Sequence, residues 1–226
     1  MNTAPTVKKL ITVTAVAATV ALAGVGCTAV TAGTAMPDRD VAAVSDTACR
    51  DVDAPKVEIA AANTAEPQLR IPQPEGWTTT TDPEAAPDIR FTQTFELSED
   101  ESPHVVVVAV SEVANISAEA LLDKGSADIV ALLEEDGLSL DGAVEDHTVC
   151  GLPARTLSWE DTRISEDAPA GDEPAPAAAL QVVAKGGGRT YHVLLMIGGE
   201  YDNPTYQRDA EAILAGFEVL PANSRI

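Results

Sequence analysis

The sequence HVVVVAVSEV occupies residues 104–113, near the middle of the chain, and has the composition of a β-strand. Its residues 105–110 are all valine or alanine, and β-branched side chains pack well on a pleated sheet. Pro103 and Asn115 bound the run, and both residue types disfavour a longer strand. A run this dense is typical of a central strand that is buried on both faces. We therefore expect a sheet to assemble around it.

Several shorter segments have the periodicity of strands that would join this sheet. Residues 89–97 alternate between apolar and polar, which predicts a strand with one face in water. Similar patterns predict strands at 143–149, 155–159, 180–184 and 191–197. Glycines 186–188 separate the last two, where glycine supplies the positive φ of a tight turn. Connections of hairpin length predict a mainly antiparallel sheet.

Two segments have the apolar spacing of α-helices. The first begins after Ser117, a good N-cap residue, and Gly125 is expected to weaken its middle. The second begins at Asn203-Pro204, an N-cap followed by proline at the first helical position, and ends at Gly216. The predicted fold class is α+β, a mainly antiparallel β-sheet flanked by two principal helices.

Residues 1–27 have the features of a bacterial lipoprotein signal peptide. Lys8 and Lys9 form a basic start, and residues 10–25 are apolar or small and uncharged. That run is shorter than the roughly 20 residues that a membrane-spanning helix needs. The small residue followed by Cys27 resembles a lipobox, in which the cysteine receives diacylglycerol and becomes the new N-terminus.

Two outcomes of export follow from this segment. Lipidation of Cys27 would anchor the protein to the extracytoplasmic face of the cell membrane. The residue three positions before Cys27 is Gly24, where an aliphatic residue is usual. Ordinary secretion, with cleavage after Ala32 or Ala35, would instead release the protein from the membrane.

Cys49 and Cys150 are the two remaining cysteines, and an even pair in an exported protein is a candidate disulfide. A bridge would close a loop of about 100 residues and contribute roughly 4–5 kcal/mol in the chain-entropy description. The alternative is a pair of buried or free thiols. No histidine is placed by a recognisable pattern for catalytic use of Cys150.

Composition divides the exported chain into three parts. Residues 28–66 are rich in Ala, Thr, Asp and Val with little periodicity, which predicts a flexible tether. The predicted domain spans 67–221, and residues 222–226 form a C-terminal tail. Within the domain, residues 160–178 are acidic and rich in Pro and Ala, which predicts a long hairpin loop.

The charge of the chain excludes nucleic acid as a partner. With 14 basic and 36 acidic residues, the formal charge is −22. Nucleic-acid binding requires basic residues that neutralise phosphates, and this surface repels them. The same charge disfavours direct contact with anionic lipid headgroups and favours basic partners.

No motif in the sequence announces a reaction, a metal or a cofactor. His104, His147 and His192 are scattered, with no spacing typical of metal ligands. The glycine run at 186–188 lacks the phosphate-loop spacing, and the nucleophile elbow of serine hydrolases is absent. We therefore predict no catalytic residue, no metal site and no cofactor.

The aromatic residues are few and have two interpretations. Aromatic residues form 4% of the chain, and most are expected to pack between helices and sheet. Some could instead line an apolar pocket. Tyr201 and Tyr206 flank the start of the second helix, and we predict them as ligand-binding residues on that ground.

Several segments in order resemble the LpqN/LpqT family of actinobacterial cell-envelope lipoproteins. The stretches that carry the resemblance are Ile71-Pro-Gln-Pro-Glu-Gly-Trp77, the valine-rich run 105–110, Gly151-Leu-Pro-Ala154, Asn203-Pro-Thr-Tyr206, Ile213-Leu-Ala-Gly-Phe217 and Val219-Leu-Pro221. The likeness covers about residues 67–221 and the lipidated leader. It implies a PsbP-like α/β sandwich, and it transfers no catalytic centre. The sequence departs from the family in Gly24 and in the long acidic segment 160–178.

The resemblance implies an exported, membrane-anchored envelope lipoprotein that binds a protein partner or an apolar envelope ligand and is not an enzyme. One alternative is a lipid carrier with an internal cavity of several hundred cubic ångströms. The other is an envelope hydrolase whose nucleophile and base meet only in the folded chain.

Overall fold

The computed structural model describes residues 49–80, 85–96, 103–114, 116–135, 138, 140, 142–161, 175–199 and 203–222. The predicted signal peptide 1–27 with Cys27, residues 28–48 of the predicted tether and residues 223–226 of the predicted tail lie outside these ranges. Tyr201 and residues 162–174 of the predicted acidic loop also lie outside them.

The described residues form strands and two helices in the predicted order. The first half of the chain contains β1 (Lys56–Ile59), β2 (Gln68–Pro72), β3 (Thr78–Thr80), β4 (Ile89–Phe95), β5 (His104–Val113) and α1 (Ala118–Glu135). The second half contains β6 (Val144–Val149), β7 (Leu152–Asp161), β8 (Ala175–Gly186), β9 (Arg189–Gly198), α2 (Pro204–Gly216) and β10 (Glu218–Leu220).

The strands form two sheets in which every pair is antiparallel. The larger sheet has seven strands in the order β3-β4-β5-β9-β8-β7-β6. The smaller sheet has the order β1-β2-β10 and joins the two ends of the domain. This architecture confirms the predicted α+β class with a mainly antiparallel sheet.

The main core lies between one face of the larger sheet and a layer made of α2 and the smaller sheet. Val106 of β5 and Leu195 of β9 meet Ile213 of α2, Ile71 of β2 and Val219 of β10 there, and all are fully buried. Helix α1 packs on the opposite face, over β7 and β8. The two helices therefore flank the larger sheet, as predicted.

Strand β5 lies inside the sheet, between β4 and β9, but only one of its faces is fully buried. Val106, Val108 and Val110 point into the main core, whereas Val105 and Val107 on the other face are partly exposed. The prediction of burial on both faces is wrong because α1 packs mainly over β7 and β8 and reaches β5 only at its end, where Val113 packs against Leu121 and Leu122. One helix is too narrow to cover seven strands spaced about 4.8 Å apart.

The predicted tether is too long at its domain end. Residues 49–66 are described, and β1 within them pairs with β2. Val57 and Ile59 pack against the main core, and Lys56 Nζ donates to Glu218 Oε1 at 2.6 Å. β1 was not predicted because a strand of four residues is too short to show a clear apolar–polar alternation within a segment rich in Ala and Thr.

The predicted acidic loop is too long at both ends. β7 continues to Asp161 and β8 begins at Ala175, and these two residues pair across the hairpin. The small side chains of Ala177 and Ala179 pack beside Trp159 and α1, so this part of the segment belongs to the sheet despite its composition.

Candidate functional site

The disulfide between Cys49 and Cys150 is present, with an S–S distance of 2.07 Å. Cys150 and Gly151 form the two-residue turn between β6 and β7, with φ of 51° and 78°. Positive φ at both central residues is the requirement of a type I′ hairpin turn. The turn therefore presents the Cys150 side chain to the start of the domain, where Cys49 meets it.

An open depression of about 520 Å³ lies beside this disulfide. One side is polar and consists of Arg50, His147 and Thr148. The other side is apolar and comes from the end of α2, through Leu214, Ala215 and Phe217. This volume is within the range of small-molecule pockets, but the depression lies at the domain surface and not between the layers.

Tyr206, a predicted ligand-binding residue, lies in the main core with 2% of its surface exposed. Its ring contacts the imidazole of His104, with ring centroids 4.6 Å apart. Phe95 stacks on the other side of His104 at 5.6 Å, and Trp77 lies 6.3 Å from it. Burial raises the pKa of Tyr206 well above its usual value. This placement agrees with the alternative of core packing, and ligand binding by Tyr206 stays a prediction.

Trp77, which belongs to the same aromatic cluster, forms a hydrogen bond that the sequence did not predict. Its Nε1 donates to Asp209 Oδ2 of α2 at 2.9 Å, and both residues are buried. The other oxygen of Asp209 accepts from Arg208 Nε at 2.9 Å. The buried carboxylate is thus satisfied and fixes α2 to the turn after β2.

A chain of polar side chains runs beneath α1. His192 Nε2 and Gln181 Oε1 share a hydrogen bond of 3.0 Å, and Gln181 Nε2 donates to Ser126 Oγ at 3.1 Å. Gly125 makes the room for this chain, because a Cβ there would lie 2.0 Å from Gln181 Oε1. Burial lowers the pKa of His192 to about 4, so its imidazole is neutral at pH 7.

A group of ion pairs centred on Arg155 of β7 lies next to this row of hydrogen-bonded side chains. Arg155 bonds to Asp146 through Nε at 2.6 Å and to Asp123 through Nη1 at 2.8 Å. The hydrogen bond to Arg155 holds the pKa of the Asp146 carboxyl below its usual value. Both bonds raise the pKa of the Arg155 guanidinium. The group links α1 to β6 and β7 and leaves this arginine already paired.

Two hydroxyls lie in hydrogen-bonded groups with histidine. Ser126 Oγ donates to the Leu122 carbonyl at 2.8 Å, and the Gln181 amide separates it from His192. His147 Nε2 lies 2.8 Å from Thr156 Oγ1, but both belong to the exposed face of the β6–β7 hairpin. A nucleophile needs a site that excludes water and donors for the developing oxyanion.

Among the residues that the structure describes, no group of three or more His, Cys, Asp or Glu side chains is placed to hold a metal ion. Within the same ranges, neither helix is long and apolar enough to span a membrane.

The half of the larger sheet that α1 does not cover forms a candidate binding surface. We define the open face as Thr92, Val105, Val107 and Met196, which adjoin one another in register on the same side of the sheet. Met196 is 36% exposed, and Leu132 on α1 is 47% exposed. The sequence could not distinguish the open face of the sheet from the buried face, because β5 has valine side chains on both.

These features define an α+β domain whose seven-stranded sheet lies between α1 on one side and α2 with the smaller sheet on the other, and α1 covers only part of its face among the described residues. Residues 49–220 match the family model Lpp-LpqN, described as probable lipoprotein LpqN. The chain belongs to this family, which confirms the resemblance found in the sequence.

Solved structures show a similar fold at low sequence identity. The crystal structure of LpqN, involved in cell envelope biogenesis of Mycobacterium tuberculosis, matches with a TM-score of 0.54 and 17% identity. The match covers 82% of this chain and 99% of that one. The solution structure of the cyanobacterial PsbP protein CyanoP from Synechocystis sp. PCC 6803 matches with a TM-score of 0.49 and 14% identity, over 76% of this chain and 97% of that one. None of the curated proteins compared with this chain matches it.

Proposed function

We propose that this protein is an exported envelope lipoprotein, anchored to the membrane through Cys27, whose domain binds a protein partner on its surface without catalysis. Membership of a family of probable lipoproteins supports the anchor, together with the basic, apolar and cysteine-ended pattern of residues 1–27. The lipid would hold the domain at the extracytoplasmic face of the membrane.

One observation supports surface binding over carriage inside the domain. Between the larger sheet and α2, the side chains of Val106, Leu195, Ile213 and Phe217 are each at most 2% exposed. Apolar side chains fill this space, which is where a lipid carrier of this architecture would need its internal cavity. The binding capacity of the domain therefore resides on its outside.

Carriage of a small apolar ligand is the second candidate, and the depression beside the disulfide favours it. Its volume of about 520 Å³ and its mixed lining suit a molecule with one polar end. A ligand seated there would remain half exposed, which fits transient capture better than enclosure.

The anchor is tested with the full chain and its Cys27→Ala variant, expressed in an actinobacterial host. Wild-type protein is expected in the membrane fraction, with a mature N-terminal peptide whose mass includes diacylglycerol at Cys27. The variant is expected in the soluble fraction. Equal distribution of both proteins, with cleavage after Ala32 or Ala35, would refute the anchor.

The mode of binding is tested by native mass spectrometry of the Cys27→Ala protein, purified without detergent. A bare protein mass is expected for a surface adaptor. A discrete added mass of lipid size, lost in a Phe217→Ala variant that still folds, would overturn the adaptor and support the carrier.

A further inference from the structure

We propose that the open face and the adjoining flank of α1 dock a basic, amphipathic protein segment of an envelope partner. The proposal rests on the proposed adaptor function and deepens it, because it locates the partner and states its chemistry.

The apolar part of this surface lies in the angle between α1 and the uncovered strands. Val107 of β5 pairs directly with Met196 of β9, and Ala179 of β8 pairs with Met196 on the other side. Ala179 is also where Ile129 and Leu133 of α1 contact the sheet. Met196 therefore lies at the boundary between the covered and the uncovered halves of the sheet.

Leu132 faces this boundary from the helix. Asp123 and Ser126, on one flank of α1, bond to Arg155 of β7, so the opposite flank, which carries Lys124 and Asp128, faces β9. Leu132 follows Asp128 by four residues and thus shares its flank. Leu132 and Met196, with 47% and 36% exposure, are thus exposed apolar side chains on the two sides of this boundary.

The negative charge near Leu132 indicates the chemistry of the partner that would bind there. The last turn of α1 carries Glu135 and no basic residue, and Glu135 follows Leu132 by three residues, so it lies on the same flank of the helix. The helix dipole already places negative charge at this end, so the Glu135 carboxylate is repelled there. Lys124, one turn before Asp128, is already bonded to Asp128 at 2.6 Å. Lysine or arginine side chains of a partner would relieve this accumulation of negative charge.

The same charges disfavour the other occupants of an apolar face. A second copy would bring this acidic end of α1 against another acidic surface, in a chain of formal charge −22. A surface of anionic lipid would be repelled for the same reason. A protein segment with apolar residues on one side and basic residues on the other satisfies both features of the surface.

The chain offers a matched control for each half of the proposal. Val144 on β6 is 50% exposed and lies at the far edge of the sheet, away from the open face. Glu145 beside it is also exposed. Substitutions at Val144 and Glu145 therefore match those at Leu132 and Glu135 in chemistry but not in position.

The experiment measures binding of synthetic 18-residue amphipathic helices to the Cys27→Ala protein by fluorescence anisotropy. The probes are a Leu/Lys peptide, the Leu/Glu peptide of the same pattern and a scrambled Leu/Lys peptide. We expect the Leu/Lys peptide alone to bind, and Leu132→Ser or Met196→Ser to weaken it about tenfold each. Glu135→Lys is expected to weaken it by a similar factor, and Val144→Ser and Glu145→Lys to leave it within about twofold.

Several results would overturn the assignment. Equal weakening by Val144→Ser and Leu132→Ser would reduce the effect to nonspecific attraction, as would equal binding of the scrambled peptide. Binding of the protein to phosphatidylglycerol vesicles that Leu132→Ser abolishes would assign the surface to lipid. A dimer in sedimentation that Leu132→Ser dissociates would assign it to a second copy.

Photo-crosslinking of the anchored protein in the envelope separates this proposal from the function on which it rests. A photoreactive residue at position 132 is expected to capture protein, and one at position 144 is not. Capture from position 144 alone would leave the adaptor function intact and refute the open face. A lipid adduct in native mass spectrometry, without protein capture from either position, would refute the adaptor function itself.

Discussion

Gly125 is unfavourable for α1 by helix propensity, but the packing beneath the helix requires a residue without a side chain. By helix propensity, Gly125→Ala would stabilise α1 by about 0.5–1 kcal/mol. In the structure, the new Cβ would lie 2.0 Å from Gln181 Oε1 and 2.9 Å from His192 Cε1. Overpacking of this kind costs about 1–3 kcal/mol, so we expect net destabilisation in urea unfolding.

A glycine on an open part of the sheet provides the control for this prediction. At Gly198, the nearest atom to a built Cβ is Ala177 Cβ, at 3.9 Å, which is ordinary contact. Gly198→Ala is expected to leave the free energy of unfolding unchanged or slightly raised. A stabilising Gly125→Ala would show that α1 moves to admit the methyl group.

His192 makes stability depend on pH in a predictable direction. Burial lowers its pKa from 6.5 to about 4, and Lys124 acts in the same direction, whereas Asp128 opposes them. Between pH 4 and pH 6.5, His192 is largely protonated in the unfolded chain and largely neutral in the folded chain. The free energy of unfolding is therefore expected to fall as the pH falls from 6.5 to 4, by up to about 3 kcal/mol from this residue.

The measurement is urea unfolding at several pH values for the wild type and for His192→Gln. The variant is expected to lose the part of the slope that lies between pH 4 and 6.5. Parallel slopes for the two proteins would show that His192 does not set this dependence. Residue-scale chemistry of this kind was beyond the sequence, because Gln181 and His192 meet beneath Gly125 only after α1 has packed on the sheet.

At the scale of elements, the beginning of α2 rests on one side chain. Asn203 Oδ1 accepts hydrogen bonds from the backbone N–H groups of Thr205 and Tyr206, at 3.0 and 3.1 Å. We expect Asn203→Ala to cost about 1 kcal/mol and Asn203→Asp, which keeps the acceptor, to cost much less. In thermal unfolding the alanine variant should melt about 2–4 °C lower. Equal melting temperatures for the two variants would mean that the cap contributes nothing.

The elements that sequence reasoning found are those with local causes. Ser117 and Asn203 cap the helices at the predicted positions, since capping depends on a few adjacent residues. β5 was found from its own composition. β1 was missed because its partner β2 supplies the reason for its conformation, and the ends of β7 and β8 were missed because Ala177 is a strand residue only beside Trp159.

At the scale of the whole molecule, the smaller sheet could not be predicted from patterns along the chain. It pairs Lys56 with Pro72 and Glu218 with Arg70, and so joins segments about 150 residues apart. Nothing local in the segment 218–221 indicates that its partner is β2, about 150 residues earlier in the chain. The open face could not be predicted from local patterns either, since its exposure depends on where α1 lies across the sheet.

The disulfide acts at this same scale, because it closes a loop of 101 residues between the start of the domain and the β6–β7 turn. The entropy of closing such a loop gives an upper value of about 4–5 kcal/mol for its contribution to stability. The smaller sheet also holds β1 in place, so the domain should remain folded without the bridge. We expect Cys49→Ser/Cys150→Ser, in the Cys27→Ala background, to lower the free energy of unfolding by about 2–4 kcal/mol in urea.

Reduction of the parent Cys27→Ala protein provides the control, since it opens the bridge without changing a side chain to serine. The reduced protein and the double variant are expected to unfold at the same urea concentration. A destabilised double variant beside a reduced protein of unchanged stability would assign the loss to serine packing near Val149 and Phe217. Equal stability of the oxidised and reduced proteins would instead show that the smaller sheet alone fixes the start of the domain, and that the bridge adds nothing to it.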